Sequence, residues 1–174
     1  MNDIATRYYK TPYGELVLGA YGDRLCLCDW RYRKMRTTLD NRLRKALGVE
    51  IRPGDDPVLD ETTRQLDEYF GFARRAFTLP LLQVGTDFQK RVWAELMQVP
   101  FGETSTYLAL AEALGNPKAV RAVASANGAN AIAIIVPCHR IIGSNGELVG
   151  YAGGLRAKEK LLTLEQDMFA NSAA

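Results

Sequence analysis

Histidine occurs once in this chain of 174 residues, at His139, and cysteine three times, at Cys26, Cys28 and Cys138. That scarcity excludes most metal chemistry. The "CLC" around Cys26 and Cys28 invites a metal, but such a site needs about four ligands and no further Cys or His lies nearby. We therefore assign no metal and read the pair as small strand residues. An odd number of thiols, in a chain whose amino terminus "MNDIATRYYK" lacks an apolar signal core, argues against a disulfide framework and for reduced cysteines in the cytoplasm. Long apolar runs are missing too. The longest, Ala131 to Val136, falls far short of the roughly 20 residues that cross a bilayer, so no membrane partner is expected. An excess of one charge is also absent: the net charge is +2, and residues 85–174 hold eight Lys or Arg against eight Asp or Glu. A nucleic-acid partner would have to be held by a few placed cations, without a basic field.

What is present is the composition of a globular protein, long enough for one generous domain or two small ones. The first thirty residues alternate like a β-meander, with turn signals at Pro12–Gly14 and Gly22–Asp23. Met35, Leu39, Leu43 and Leu47 predict an amphipathic helix closed by Gly48; Leu59, Thr62, Leu66 and Phe70 predict a second closed by Gly71. "FTLPL" reads as a strand that its proline confines to an edge. Residues 1–82 thus form an α/β domain, 83–85 a linker and 86–170 a helical domain, leaving 171–174 as a flexible tail.

In the helical part, Thr86 caps a helix that Pro100–Gly102 stops, Ser105 opens another ending at Gly115, and Asn116 with Pro117 starts a third that Gly128 ends. Two helices joined across Gly115–Asn116 make a candidate helix-turn-helix. The third helix buries Val120 and Val123, while its short alanines let the backbone approach a groove beside its only cations, Lys118 and Arg121.

"AIAIIV", β-branched and bounded by turn residues, predicts a buried strand that Pro137 ends, placing Cys138 at its mouth. A cysteine after an apolar run is commonly inert. An adjacent histidine does not by itself activate it, because neighbours in an extended segment face opposite ways; a linking water or a bend at Pro137–Cys138 is required. In the last helix Leu161, Leu162, Glu165 and Met168 share one face, so Glu165 is a carboxylate on an apolar stripe and needs a partner. His139 fits, since a carboxylate on one ring nitrogen leaves the other as base; Arg140 fits as well. Between them lies a loop with glycines at 143, 146, 150, 153 and 154, in which Tyr151 is the one large side chain, either a stacking wall or core.

"VPFGETSTYLALAEALGNPKAVRAV", "NGAN", "IIVPCHRIIG" and "GYAGG" with "KEKLLTLE", in that order, closely resemble the O6-alkylguanine-DNA alkyltransferases across roughly residues 85–166. The resemblance implies a ribonuclease-H-like α/β domain followed by a mostly helical domain with a winged helix-turn-helix. It also implies a reaction without cofactor, in which a flipped O6-alkylguanine, or an O4-alkylthymine, yields its alkyl group irreversibly to the protein's own cysteine. By resemblance Cys138 is the acceptor, His139 the water-linked base, Glu165 its orienting group and Asn130 the brace of the turn beside the thiol. Tyr107 is then the contact to the target nucleotide and Arg121 the side chain that fills the emptied stack. Lys118, Ser125, Ile141, Tyr151 and Ala152 complete the contacts to double-stranded DNA, entered through the minor groove by a monomer. Ala152 stands where some relatives have serine, Ala131 where proline is frequent, and Ser125 where glycine is common. The rivals are a non-enzymatic damage sensor, disfavoured by the presence of Cys138; a cysteine hydrolase, disfavoured by the lack of a second histidine; and a plain helix-turn-helix regulator, which calls for a more basic face.

Overall fold

The structure is a computed structural model that describes residues 3–173. The chain divides into two compact units, Met1–Val84 and Gly85–Ala174.

In the first unit the meander is realised as β1 (Ile4–Thr11), β2 (Gly14–Tyr21) and β3 (Arg24–Trp30), antiparallel in sequence. The β2–β3 link is the two-residue turn Gly22–Asp23, with φ of 56° and 63°, the left-handed pair that matches strand twist. Helix α1 (Arg36–Leu47) ends on Gly48 in the left-handed conformation. A three-residue strand, β4 (Ile51–Pro53), then pairs parallel to β1, giving the order β3-β2-β1-β4. Sequence reading missed β4 because three residues hold no periodicity. Helix α2 (Pro57–Phe70) starts at Asp56, whose carboxylate accepts from Val58 N, and covers β1 to β3 with Leu59, Leu66 and Tyr69. "FTLPL" forms no strand. It touches the edge of β3 through a single parallel bridge, Leu25 with Leu81, consistent with the proline that breaks it.

The second unit begins at Thr86, which caps α3 (Asp87–Leu96) in a capping box: Gln89 N donates to Thr86 Oγ1 at 3.1 Å and Thr86 N to Gln89 Oε1 at 3.0 Å. The next helix, α4 (Tyr107–Ala113), is capped by Thr106, not opened by Ser105. Ser105 and Thr106 instead form β5, parallel to β6 (Ile141–Ile142). After Gly115 (φ 79°) a 3₁₀ turn, Pro117–Ala119, leads into α5 (Val120–Gly128); Asn116 makes no side-chain cap there, so the expected single helix starts as a tighter turn. Trp93 Nε1 donates to Ala126 O at 2.8 Å and locks α3 against α5. Helix α6 (Leu155–Ala173) continues through residues 171–173, which were expected as a loose tail; Ala174 lies outside the described residues. Among the described residues no helix is long and apolar enough to cross a membrane.

The largest departure is "AIAIIV". These six residues are buried but form turns, not a strand. Ile135 N donates to Ala133 O and Val136 N to Ile132 O, while Ile134 sits at φ 72°, a costly conformation for a β-branched residue. The composition of a buried turn and of a buried strand is the same. Asn130 decides between them, its side chain supplying the hydrogen bonds that a neighbouring strand would have given.

Candidate active site

Asn130 follows α5, and its carboxamide acts as a template for the buried turn. Oδ1 accepts from Ile132 N at 3.0 Å; Nδ2 faces Val136 O at 3.0 Å, Ile132 O at 3.3 Å and the Cys138 sulfur at 3.3 Å. The chain then enters a one-turn 3₁₀ helix, Cys138–Arg140, with Pro137 as its entry residue. The thiol therefore opens a short helix, not the mouth of a strand, and the bend needed to free it from an extended geometry is present. Cys138 is 5% exposed, so only a group inserted into the fold reaches it.

His139 is fully buried, and its Nε2 lies 2.7 Å from Glu165 Oε2. Its Nδ1 is buried without a hydrogen-bond partner among the described residues. Glu165, 1% exposed, projects from the apolar stripe of α6 as its spacing predicted. Both partners left open by the sequence are realised, since Arg140 Nε donates to Oε1 at 2.8 Å and Nη2 to Oε2 at 3.2 Å. Burial pushes the Glu165 carboxyl up, but the neighbouring His139 and Arg140 outweigh it and hold the group well below the ordinary carboxylate range. An ionised carboxylate only accepts, which assigns a proton to Nε2; in the neutral imidazole Nδ1 is then the lone-pair nitrogen. The Tyr151 ring stands edge-on to the imidazole at 6.5 Å between centroids.

Lys158 was not singled out from the sequence. It lies seven residues before Glu165 on the same face of α6, the signal that would have found it, and it is fully buried. Its ammonium donates to Val149 O at 3.0 Å and Gly150 O at 3.3 Å, pinning the glycine-rich loop; burial lowers its pKa, with the nearby Cys138 acting the other way. The Tyr107 hydroxyl donates to the same Val149 carbonyl at 3.2 Å, and the side chain of Asn127 hydrogen-bonds that hydroxyl. The Tyr107 pKa is raised, chiefly by burial and further by Cys138. Asn127, also missed, thus connects α5 to Tyr107 on α4.

The remaining expected residues separate into two groups. Lys118, Arg121 and Ser125 are exposed and share one face of the Pro117–Gly128 segment with Ala122, whereas Tyr151 and Ala152 are partly buried. Ile141 is fully buried in β6, where it pairs with Ser105 of β5. Among the described residues no cluster of three metal-ligating side chains occurs, and Cys26 and Cys28 are buried and outside any disulfide.

A mixed four-stranded sheet unit followed by a helical unit that carries a buried Cys-His-Glu constellation defines a class of two-part proteins with a protein thiol at their centre. The family profile described as "6-O-methylguanine DNA methyltransferase, ribonuclease-like domain" matches residues 4–83, and "6-O-methylguanine DNA methyltransferase, DNA binding domain" matches residues 87–167. The constitutive methylated-DNA--protein-cysteine methyltransferase of Bacillus subtilis is 42% identical over 161 residues, 90% of this chain and 92% of that protein. The corresponding methyltransferase of Methanosarcina acetivorans is 56% identical over 105 residues, 60% of this chain and 67% of its own. The crystal structure of Mycobacterium tuberculosis OGT in complex with DNA superposes with a TM-score of 0.81 at 39% identity, covering 94% of each chain. The chain belongs to the 6-O-methylguanine DNA methyltransferase family.

Proposed function

We propose that the protein repairs double-stranded DNA by taking an O6-alkylated guanine out of the helix and moving the alkyl group onto its own Cys138. It is a methylated-DNA–protein-cysteine methyltransferase in which each molecule acts once. The observation that carries this reading is the buried Cys138–Asn130 and His139–Glu165 constellation within the region that matches the DNA-binding domain.

The chemistry follows from the geometry. His139 Nδ1, the lone-pair nitrogen, receives the thiol proton through a linking water, and the Asn130 amide donates toward the sulfur, favouring the thiolate. The sulfur attacks the alkyl carbon in line. A carbon–sulfur bond forms, the carbon–oxygen bond breaks with its electron pair returning to the guanine, and the restored base regains a proton at N1. A thioether does not hydrolyse, so the acceptor is spent; no cofactor enters. Tyr107 and the loop carrying Tyr151 and Ala152 wall the pocket, and Ala152 offers its backbone N–H to the leaving oxygen. Residues 86–170 carry both DNA binding and chemistry. The exposed face with Lys118, Arg121 and Ser125 enters the minor groove as a monomer, Arg121 taking the place of the extruded base. We place the protein in the cytoplasm.

The test is to incubate the protein with duplex DNA containing O6-methylguanine, digest it and weigh the peptides. A gain of one methyl on the peptide bearing Cys138 is expected; binding with no gain would instead identify a damage sensor.

A further inference from the structure

Resting on the acceptor reading above, we propose that Arg140 is a positioning residue of the transfer: it fixes both oxygens of Glu165 against His139 and supplies the permanent positive charge that leaves the imidazole free to act as base. Its guanidinium is committed on three sides. Nε and Nη2 grip Glu165 Oε1 and Oε2 at 2.8 and 3.2 Å, and Nη1 donates to Val99 O at 2.8 Å, anchoring the fork to the chain just beyond α3. The Phe101 ring lies 5.5 Å from Cζ, and only 8% of the residue is exposed. This planar fork cannot be reproduced by an ammonium.

The charge count shows what the fork does. Glu165 also meets His139, whose Nε2 shares Oε2 with Arg140. A carboxylate this deeply buried needs a positive charge beside it. If His139 were the sole candidate, neutralising Glu165 would require a protonated imidazole at rest, and a protonated imidazole cannot take the thiol proton. Arg140 puts a permanent positive charge on both Glu165 oxygens, so the carboxylate keeps a charged partner when the imidazole is neutral. The other ionisable groups facing the site are Cys138 itself, Tyr107 on α4, Lys158 on α6 and Tyr151 in the loop; Lys158 is directed at the loop carbonyls, so it does not substitute for Arg140.

The experiment measures single-turnover methyl transfer from O6-methylguanine DNA as a function of pH, with the peptide carrying the methyl identified. Arg140→Met is expected to move the rising limb of the profile to higher pH by about one unit, because a positive charge next to the ionising centre has been removed. Arg140→Lys is expected to restore the profile but not the full rate. Because Arg140→Met leaves Glu165 unbalanced and can unfold the chain, the second comparison is Glu165→Gln with Arg140→Met/Glu165→Gln. If Arg140 acts through Glu165, both transfer at rates within about threefold of each other. A wild-type profile in Arg140→Met, or a further large loss in the double variant, would overturn the inference. A methyl group found away from Cys138 in the wild type would strike the proposed function itself.

Discussion

At the scale of the residue, function concentrates in side chains whose burial conflicts with their polarity. Glu165 is the sharpest case, a carboxylate 1% exposed whose ionised form is favoured by His139 and Arg140. A group whose folded pKa is depressed stabilises the fold above its ordinary value, near 4.3, and that stability is lost as pH falls toward the folded value. Urea unfolding at pH 7 and at pH 3 therefore separates wild type from Glu165→Gln: the wild type is expected to lose more stability across that interval, and equal losses would show that Glu165 is not ionised in the fold. Arg121 makes a different prediction because it is exposed. Arg121→Ala is expected to slow transfer from duplex DNA by tenfold or more, on the order of the 1.4 kcal/mol that a tenfold change represents, while leaving reaction with the free modified base nearly unchanged. Parallel losses on both substrates would remove it from the extrusion step. The need of Glu165 for a partner, with His139 and Arg140 as candidates, was legible from spacing and type, whereas the roles given to Cys138 and to the third helix came from the family resemblance. Lys158 was not legible, because a lysine on an apolar stripe reads as an exposed flank until its two carbonyl partners are visible.

At the scale of the element, local signals predicted most boundaries and failed where side chains replace backbone partners. Thr86 was read as the start of α3 and forms a reciprocal cap with Gln89. Thr86→Ala is expected to lower stability by about 1 kcal/mol, measured by urea midpoint with an unchanged slope, and to leave transfer chemistry intact. "AIAIIV" was misread because hydrophobicity and β-branching describe burial, whereas the turn depends on one carboxamide, Asn130, bonding to Ile132, Val136 and the thiol. The same bonds place the sulfur. Asn116 failed as a cap for a related reason: the chain there tightens into a 3₁₀ turn before α5 begins, and the side chain makes no cap. β4 and the β5–β6 pair are too short to leave a pattern in the sequence.

At the scale of the whole molecule, charge is the informative quantity. Residues 85–174 carry eight basic and eight acidic side chains, so under the proposed function binding to duplex DNA depends on a few placed cations, among them Lys118 and Arg121. The logarithm of the binding constant is accordingly expected to fall with the logarithm of salt concentration at a slope of about −2, since each phosphate contact contributes roughly −0.9. A slope several times steeper would mean that the DNA path involves many more basic residues than this one face. The β-then-α order of the first unit was legible, and so was the division into a sheet unit and a helical unit, because both rest on periodicity. The placement of the Asn130–Arg140 turn within the second unit, between α5 and α6, was legible only as a motif.

The central claim is that Cys138 is consumed as it accepts an alkyl group. Titrating the protein with excess duplex DNA that carries radiolabelled O6-methylguanine tests it most directly. Incorporation is expected to plateau at one methyl per protein, to stay there when fresh DNA is added, and to vanish in Cys138→Ala. Continued turnover past one equivalent, or a plateau that survives loss of the thiol, would contradict it.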